Sequence, residues 1–287
     1  VDYDVYNIEV EALGQKVIYF ENDIPDVDRS VPLITGPADL KKIRTPDFET
    51  AGRFTKIIEM HSIFEKMTGV TPSLQFCAPF SLAANIRGIE NLIRDILLAP
   101  DFARGLFDAI VEEVLAPWIL YQKKYFPHVK SIGGSDAFAS LPIINMKIFE
   151  EWVLPYILRL REICGPEVYV PNWVGEKRLK KPEDMLALKL QVSPSFLEGQ
   201  DPDVAALGPE FYKAYAEKND IPLVLGVGAS FMDTSTAEEV YQRVKHYVEV
   251  GKKKGRFALY LCNLSAETPP ENVRAAIKAI HKYGQYE

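Results

Sequence analysis

The sequence predicts an α/β fold, a (β/α)8 TIM barrel with a truncated or irregular N-terminal part. Three observations carry this expectation. Past residue 70, short β-rich runs alternate with longer helical ones, and alternating β and α units imply a parallel sheet. The chain has 287 residues, 47% of them hydrophobic, and one such barrel takes about 250. No GxGxxG or P-loop follows any strand candidate, which weakens the alternative of a doubly wound open sheet.

In chain order, "QKVIYFEN" reads as a strand and "DFETAGRFTKIIEMHSIFEKMTG" as a helix closed by Gly69. Six strand candidates follow: "SLQFCAP", "VKSIGGSD", "EVYVPNW", "SPSFLEG", "IPLVLGVG" and "RFALYLCN". The helix in "STAEEVYQRVKHYVEVGKKKG" has a capping box from Ser235 to Glu238, with Val240, Val244 and Val248 on one face. The last helix opens with Thr268 as N-cap, Pro269 as first helical residue and Glu271 as capping-box partner. No internal repeat, linker or low-complexity segment interrupts the chain, so one domain over residues 1–287 is expected.

Composition narrows the function. The net charge is −7 and no basic tract stands out, which argues against nucleic acid as a partner. The cysteines at 77, 164 and 262 are odd in number and form no CxxC pair, so a reducing cytoplasm is expected rather than a disulfide framework. No apolar run reaches the roughly 18 residues of a membrane helix. No signal peptide opens the chain, and the missing initiator Met suggests a trimmed start.

Barrel enzymes carry their chemistry at the C-terminal strand ends. Those ends supply Asp136, Asn172, Trp173, Glu198, Gly226, Gly228, Ser230, Cys262 and Asn263, with Glu176 in the loop after "EVYVPNW". Asp136 follows two glycines and reads equally as a ligand-facing acid or a helix N-cap. Trp173 is either a platform for a flat substrate or rim packing. Asp201 and Asp203, after Glu198, read as helix caps. "LGVGAS" offers a weak backbone cradle at Gly226, Gly228 and Ser230. Cys262 reads as a metal ligand or as a buried thiol, the commoner fate of a lone cysteine. None of the four histidines has a second ligand at metal spacing. No nucleophile elbow supports a Ser-His-Asp triad.

Several stretches together resemble the uroporphyrinogen decarboxylase superfamily. They are "CAPFSLAANIRGIENLIRDILLAPDFARGLFDAIVEEV", "SDAFASLPIINMKIFEEWVLPYI" and "CNLSAETPPENVRAAIKAIHKYG". The start, "EALGQKVIYFENDIPDVDRS", resembles the corrinoid-linked methyltransferase branch more than the decarboxylases. The decarboxylase "NLGHG" is replaced by "NLSAE", without its histidine, and Gly52-Arg53-Phe54 does not match their "GRYLPEY". Methylcobamide:coenzyme M methyltransferases hold zinc through an H-x-C motif and a later cysteine six residues before a "TP-x-EN" helix start. Cys262 matches that cysteine, but "VYVPNWVGE" has neither His nor Cys where H-x-C belongs. Asn172, Trp173 and Glu176, with "PEDMLALK", "DPD" and "LYLCNLSAETP", resemble the branch that demethylates methoxylated aromatics.

The resemblance implies a corrinoid-dependent methyltransferase acting on a small methoxylated aromatic compound with a separate corrinoid protein as partner. Asp136 and Glu198 would be its catalytic acids. Asn172, Trp173, Glu176 and Asn263 would bind the substrate, and Gly226, Gly228 and Ser230 the cofactor. Any zinc would sit on Cys262 with Glu198 or Asp136, and a homodimer is compatible with this reading. The alternatives are methyl transfer from methylcobamide to a thiol of the coenzyme M type, decarboxylation, and a silent barrel that only binds a corrinoid protein.

Overall fold

The computed structural model describes residues 6–21 and 25–285. Contacts divide the described residues into two compact units, one of residues 6–20 and 25–173 and the other of residues 21 and 174–285.

The first unit contains an antiparallel hairpin, β1 (Val17–Ile18) with β2 (Asp26–Val27). "QKVIYFEN" thus holds a strand, but of a hairpin. The helix expected over "DFETAGRF…" spans Phe54–Thr68, and Gly69 ends it at φ +69°, a left-handed cap that glycine adopts without strain. A parallel sheet follows in the order β3 (Leu74–Cys77), β4 (Ile132–Ser135), β5 (Val168–Tyr169). Its register pairs Leu74 with Ile132 and Ile132 with Val168. The glycines of "SIGGSD" admit this unit's own side chains. A Cβ on Gly134 would lie 2.5 Å from Phe76 Cζ and 2.7 Å from Val170 Cγ2, and one on Gly133 3.1 Å from the Tyr169 hydroxyl.

The second unit carries the parallel sheet β6 (Leu197–Gln200), β7 (Leu223–Val227), β8 (Phe257–Leu261). Strand side chains alternate between faces, and here the two faces differ sharply. Leu197, Leu223, Leu225, Val227, Phe257, Leu259 and Leu261 join an apolar core with the helices Ala237–Gly251 and Pro270–Tyr283. Val240, Val244 and Val248 enter that core as their spacing predicts. The other face carries Glu198 and Gln200 on β6, Gly226 on β7 and Tyr260 on β8, with Cys262 just past its end. All six expected parallel strands are present.

Two helix starts shift by one residue. The capping box is made by Thr236 and Glu239, because the Thr236 hydroxyl accepts from Glu239 N while the Glu239 carboxylate accepts from Thr236 N. The last helix begins at Pro270 with Pro269 as N-cap. Thr268 does not cap it: its hydroxyl donates to Asp233 at 2.5 Å and accepts from Ser265 N. Among the described residues, no helix is long and apolar enough to cross a membrane.

Candidate functional site

The acids expected to work together are built into their units in different ways. In the first unit, Asp136 lies just past β4 and is fully buried. Its Oδ1 accepts from Ser81 N at 2.8 Å, and Ser81 stands in the first turn of the helix Pro79–Arg87. Its Oδ2 accepts from the Trp173 indole at 3.3 Å. Its backbone N–H donates to Asn172 Oδ1 at 3.1 Å. Burial pushes the Asp136 carboxyl up to about 7, against the pull of the Ser81 and Trp173 hydrogen bonds. The Tyr6 hydroxyl is hydrogen-bonded to the Asn172 side chain and the Ala137 backbone, and burial raises it to about 12. Cys77 N donates to the buried Glu9 at 3.0 Å.

Trp173 is also fully buried, and its ring meets Phe149 edge-on at 4.7 Å. With its N–H on Asp136, the indole offers no open face in this structure. Asn172 holds Asp136 and Tyr6. These two residues therefore support Asp136 rather than line an open platform.

In the second unit, Tyr260 donates to Glu198 Oε1 at 2.7 Å. The Cys262 thiol donates to Gln200 Oε1 at 3.5 Å. Both contacts cross over Gly226, in the diagonal arrangement that neighbouring strands allow. Glu198 is half-buried, and its carboxyl is raised by burial, opposed by the Tyr260 hydrogen bond and then by Lys189. Among the described residues, no hydrogen bond occupies Glu198 Oε2. Burial pushes the Cys262 thiol up to about 11.

The remaining expected residues have structural partners or stand apart. Glu176 is buried with a carboxyl oxygen against the Lys189 ammonium. Its carboxyl is also hydrogen-bonded to Asp203, and burial pushes it up to about 7. Lys189 Nζ also donates to the main-chain oxygen of Glu198 at 3.2 Å. Asp203 accepts from Gly175 N and Lys177 N, so it clamps a loop rather than capping a helix. Asp201 does cap, accepting from Ala205 N at 3.1 Å, and it also binds Arg243, Tyr247 and Gly228 N. The Gly228 N–H is thereby used, and a Cβ there would lie 2.8 Å from Asp201 Cβ. Ser230 and Asn263 are exposed, and Asn263 takes φ +39°. Gln200 stands among the strand-end residues the sequence offers, whereas Tyr260 and Lys189 escaped the sequence reading. The signal for Tyr260 was period 2: it shares a face with Cys262, as Glu198 does with Gln200.

Comparison with known proteins identifies the family. A family model described as uroporphyrinogen decarboxylase (URO-D) matches residues 4–283. The chain belongs to the URO-D family. A relative in that comparison is a methylated-thiol–coenzyme M methyltransferase of Methanosarcina mazei, 28% identical over 280 residues, covering 95% of this chain and 69% of that protein. A solved methyltransferase structure from Methanosarcina mazei superposes with a TM-score of 0.76 at 16% identity, covering 99% of this chain and 80% of the other. At that identity the likeness concerns the fold, and it bears out the α/β URO-D-like barrel class read from the sequence. The two URO-D-like relatives are methyltransferases by name, in line with the branch the sequence resembles.

Zinc needs several soft or charged donors converging within about 2.0–2.3 Å of one point. Among the described residues, no group of three or more His, Cys, Asp or Glu side chains could hold a metal ion. The donors at Cys262 are a carboxamide and a phenol, and Glu198 is engaged by Tyr260. This donor set does not fit the zinc site that the resemblance implies, and no step is assigned to zinc.

Proposed function

We propose that this URO-D family member is a corrinoid-dependent methyltransferase that takes a methyl group from a methyl ether of a small aromatic compound. Glu198 is the acid of the reaction. One observation supports the reading above others: a half-buried carboxyl, biased by burial toward its protonated form, with one oxygen held by Tyr260 and the other untaken among the described residues. An ether oxygen departs poorly as an anion and well as a neutral hydroxyl. A positioned acid supplies that proton in the transition state.

The balance is simple. Cobalt(I) on a partner corrinoid protein would supply the electron pair that takes up the methyl group. The C–O bond breaks with its electrons on oxygen, and the Glu198 proton moves to that oxygen. Glu198 is left as a carboxylate that Tyr260 stabilises by hydrogen bonding, and solvent restores its proton. Asp136 has a holding role in this scheme.

A second reading, with a thiol compound in place of the ether, has one observation in its favour: the 28% identical relative is named for methylated thiols and coenzyme M. Activating a thiol acceptor calls for a thiolate, usually on a metal, and the donors near Cys262 do not fit one. An anaerobic assay separates the readings. Protein, a methoxylated phenol and a reduced corrinoid protein should yield the free phenol. Turnover only with thiols or their methyl derivatives would overturn the ether reading.

A further inference from the structure

Tyr260 pairs with Gly226 on β7, and Gly226 pairs with Gln200 on β6. The middle strand therefore carries no side chain where the polar groups of its neighbours meet. A Cβ on Gly226 would stand 2.7 Å from Tyr260 Cζ, 2.8 Å from its hydroxyl and 2.9 Å from Cys262 Sγ. Any larger residue would displace both side chains. The phenol ring uses this space to cross β7 and place its hydroxyl on Glu198 Oε1. Lys189 ties the main-chain oxygen of the same residue from its other side. Glu198 is thus fixed at two points and, among the described residues, left with one oxygen to offer.

We infer that Tyr260 is a positioning residue for Glu198, holding Oε1 so that Oε2 is presented to the departing atom of the methyl donor, and that Gly226 provides the space this reach requires. The inference rests on Glu198 being the acid of the proposed reaction. Tyr260 itself exchanges no proton with the substrate. Its contribution is orientation, and a misplaced catalytic group costs up to about 10²-fold in rate even when substrate binding is intact.

A double-mutant cycle tests this, since residues that act through one another show non-additive effects. Tyr260→Phe, Glu198→Gln and the double variant are compared in kcat and KM for a methoxylated phenol, and in urea unfolding. Tyr260→Phe should lower kcat by roughly 10- to 100-fold with KM within about twofold. In the Glu198→Gln background the same change should cost less than about twofold. Gly226→Ala should reproduce the kcat loss with the phenol hydroxyl still present; if it does not fold, the Tyr260 cycle decides alone. Equal losses with and without Glu198, or an unchanged kcat in Tyr260→Phe, would overturn the inference. Absence of turnover in the unsubstituted protein would remove the reaction itself. Coupling seen then only in the unfolding cycle would mark the pair as structural.

Discussion

Asp136 and Glu198 are acids on the parallel sheets of the chain's two units, Asp136 just past the C-terminal end of β4 and Glu198 second of the four residues of β6. Asp136 has no exposed surface and gives both oxygens to donors of its own unit, Ser81 N and the Trp173 indole. Glu198 gives one oxygen to Tyr260 and, among the described residues, keeps the other. Burial raises both carboxyls. A raised pKa therefore does not by itself distinguish the two acids. Under the proposed function, the donors already converging on each carboxyl do. Ser81, through its backbone and side chain, and Trp173 enclose Asp136 and rivet a strand end to a helix start, whereas Tyr260 orients Glu198 and leaves it available among the described residues.

The strongest way to break this contrast is to remove the acid from Glu198. Glu198→Gln keeps the shape and the acceptor for Tyr260 and loses the proton. Its turnover should fall by roughly 10²–10⁴-fold, the worth of a positioned acid, with little change in the urea midpoint. Next in size is Asp136→Ala. It orphans two buried N–H donors at about 1–3 kcal/mol each, so unfolding should need about 2–6 kcal/mol less free energy. A fully stable Asp136→Ala protein would refute its structural role.

Trp173→Phe sharpens the comparison further. It keeps most of the packing against Phe149 and deletes the N–H that reaches Asp136, a loss of about 1–2 kcal/mol in stability. KM for an aromatic donor should not move. A rise in KM at unchanged stability would restore the ring-platform role that the sequence suggested.

The units should also respond to pH in opposite directions. His61, buried in the first unit, is held neutral by burial, its pKa lowered from 6.5 to about 4. The unfolded chain binds the proton more readily, so this stabilisation is full above pH 6.5 and lost as pH falls through about 4. Glu176, in the second unit, is raised from 4.5 to about 7, chiefly by burial. Its folded form holds the proton, so its contribution is full below pH 4.5 and lost as pH rises through about 7. Unfolding measured across this range should show His61→Leu flattening the acid limb and Glu176→Gln flattening the neutral limb. If either variant leaves its limb unchanged, that residue does not govern it.

Much of the fold was legible because strand and helix periods are local. All six parallel strands stand where β-rich runs predict them. The capping shifts, Ser235 to Thr236 and Thr268 to Pro269, arose because neighbouring hydroxyls compete for the same role, and a distant partner, Asp233, takes the Thr268 hydroxyl. The site was less legible. Trp173 and Glu176 look like rim residues in sequence, yet their partners, Phe149 and Lys189, lie outside the strand-end motifs and bury them. Tyr260 was hidden in "FALYL", where an aromatic passes for core. Gly226 resembled a ligand cradle because a sequence does not tell whether the close approach a glycine permits comes from a ligand or from the protein's own side chains.

One pair of variants tests the central claim most directly. Glu198→Gln and Asp136→Asn differ from the parent by one atom type each, and both are measured for phenol release with a reduced corrinoid protein and for urea unfolding. The predicted result is a crossed one: Glu198→Gln folds normally and loses turnover by roughly 10²-fold or more, while Asp136→Asn is destabilised by about 1–3 kcal/mol and, where folded, turns over close to the parent rate. Loss of turnover in Asp136→Asn at unchanged stability, with Glu198→Gln still active, would contradict the account.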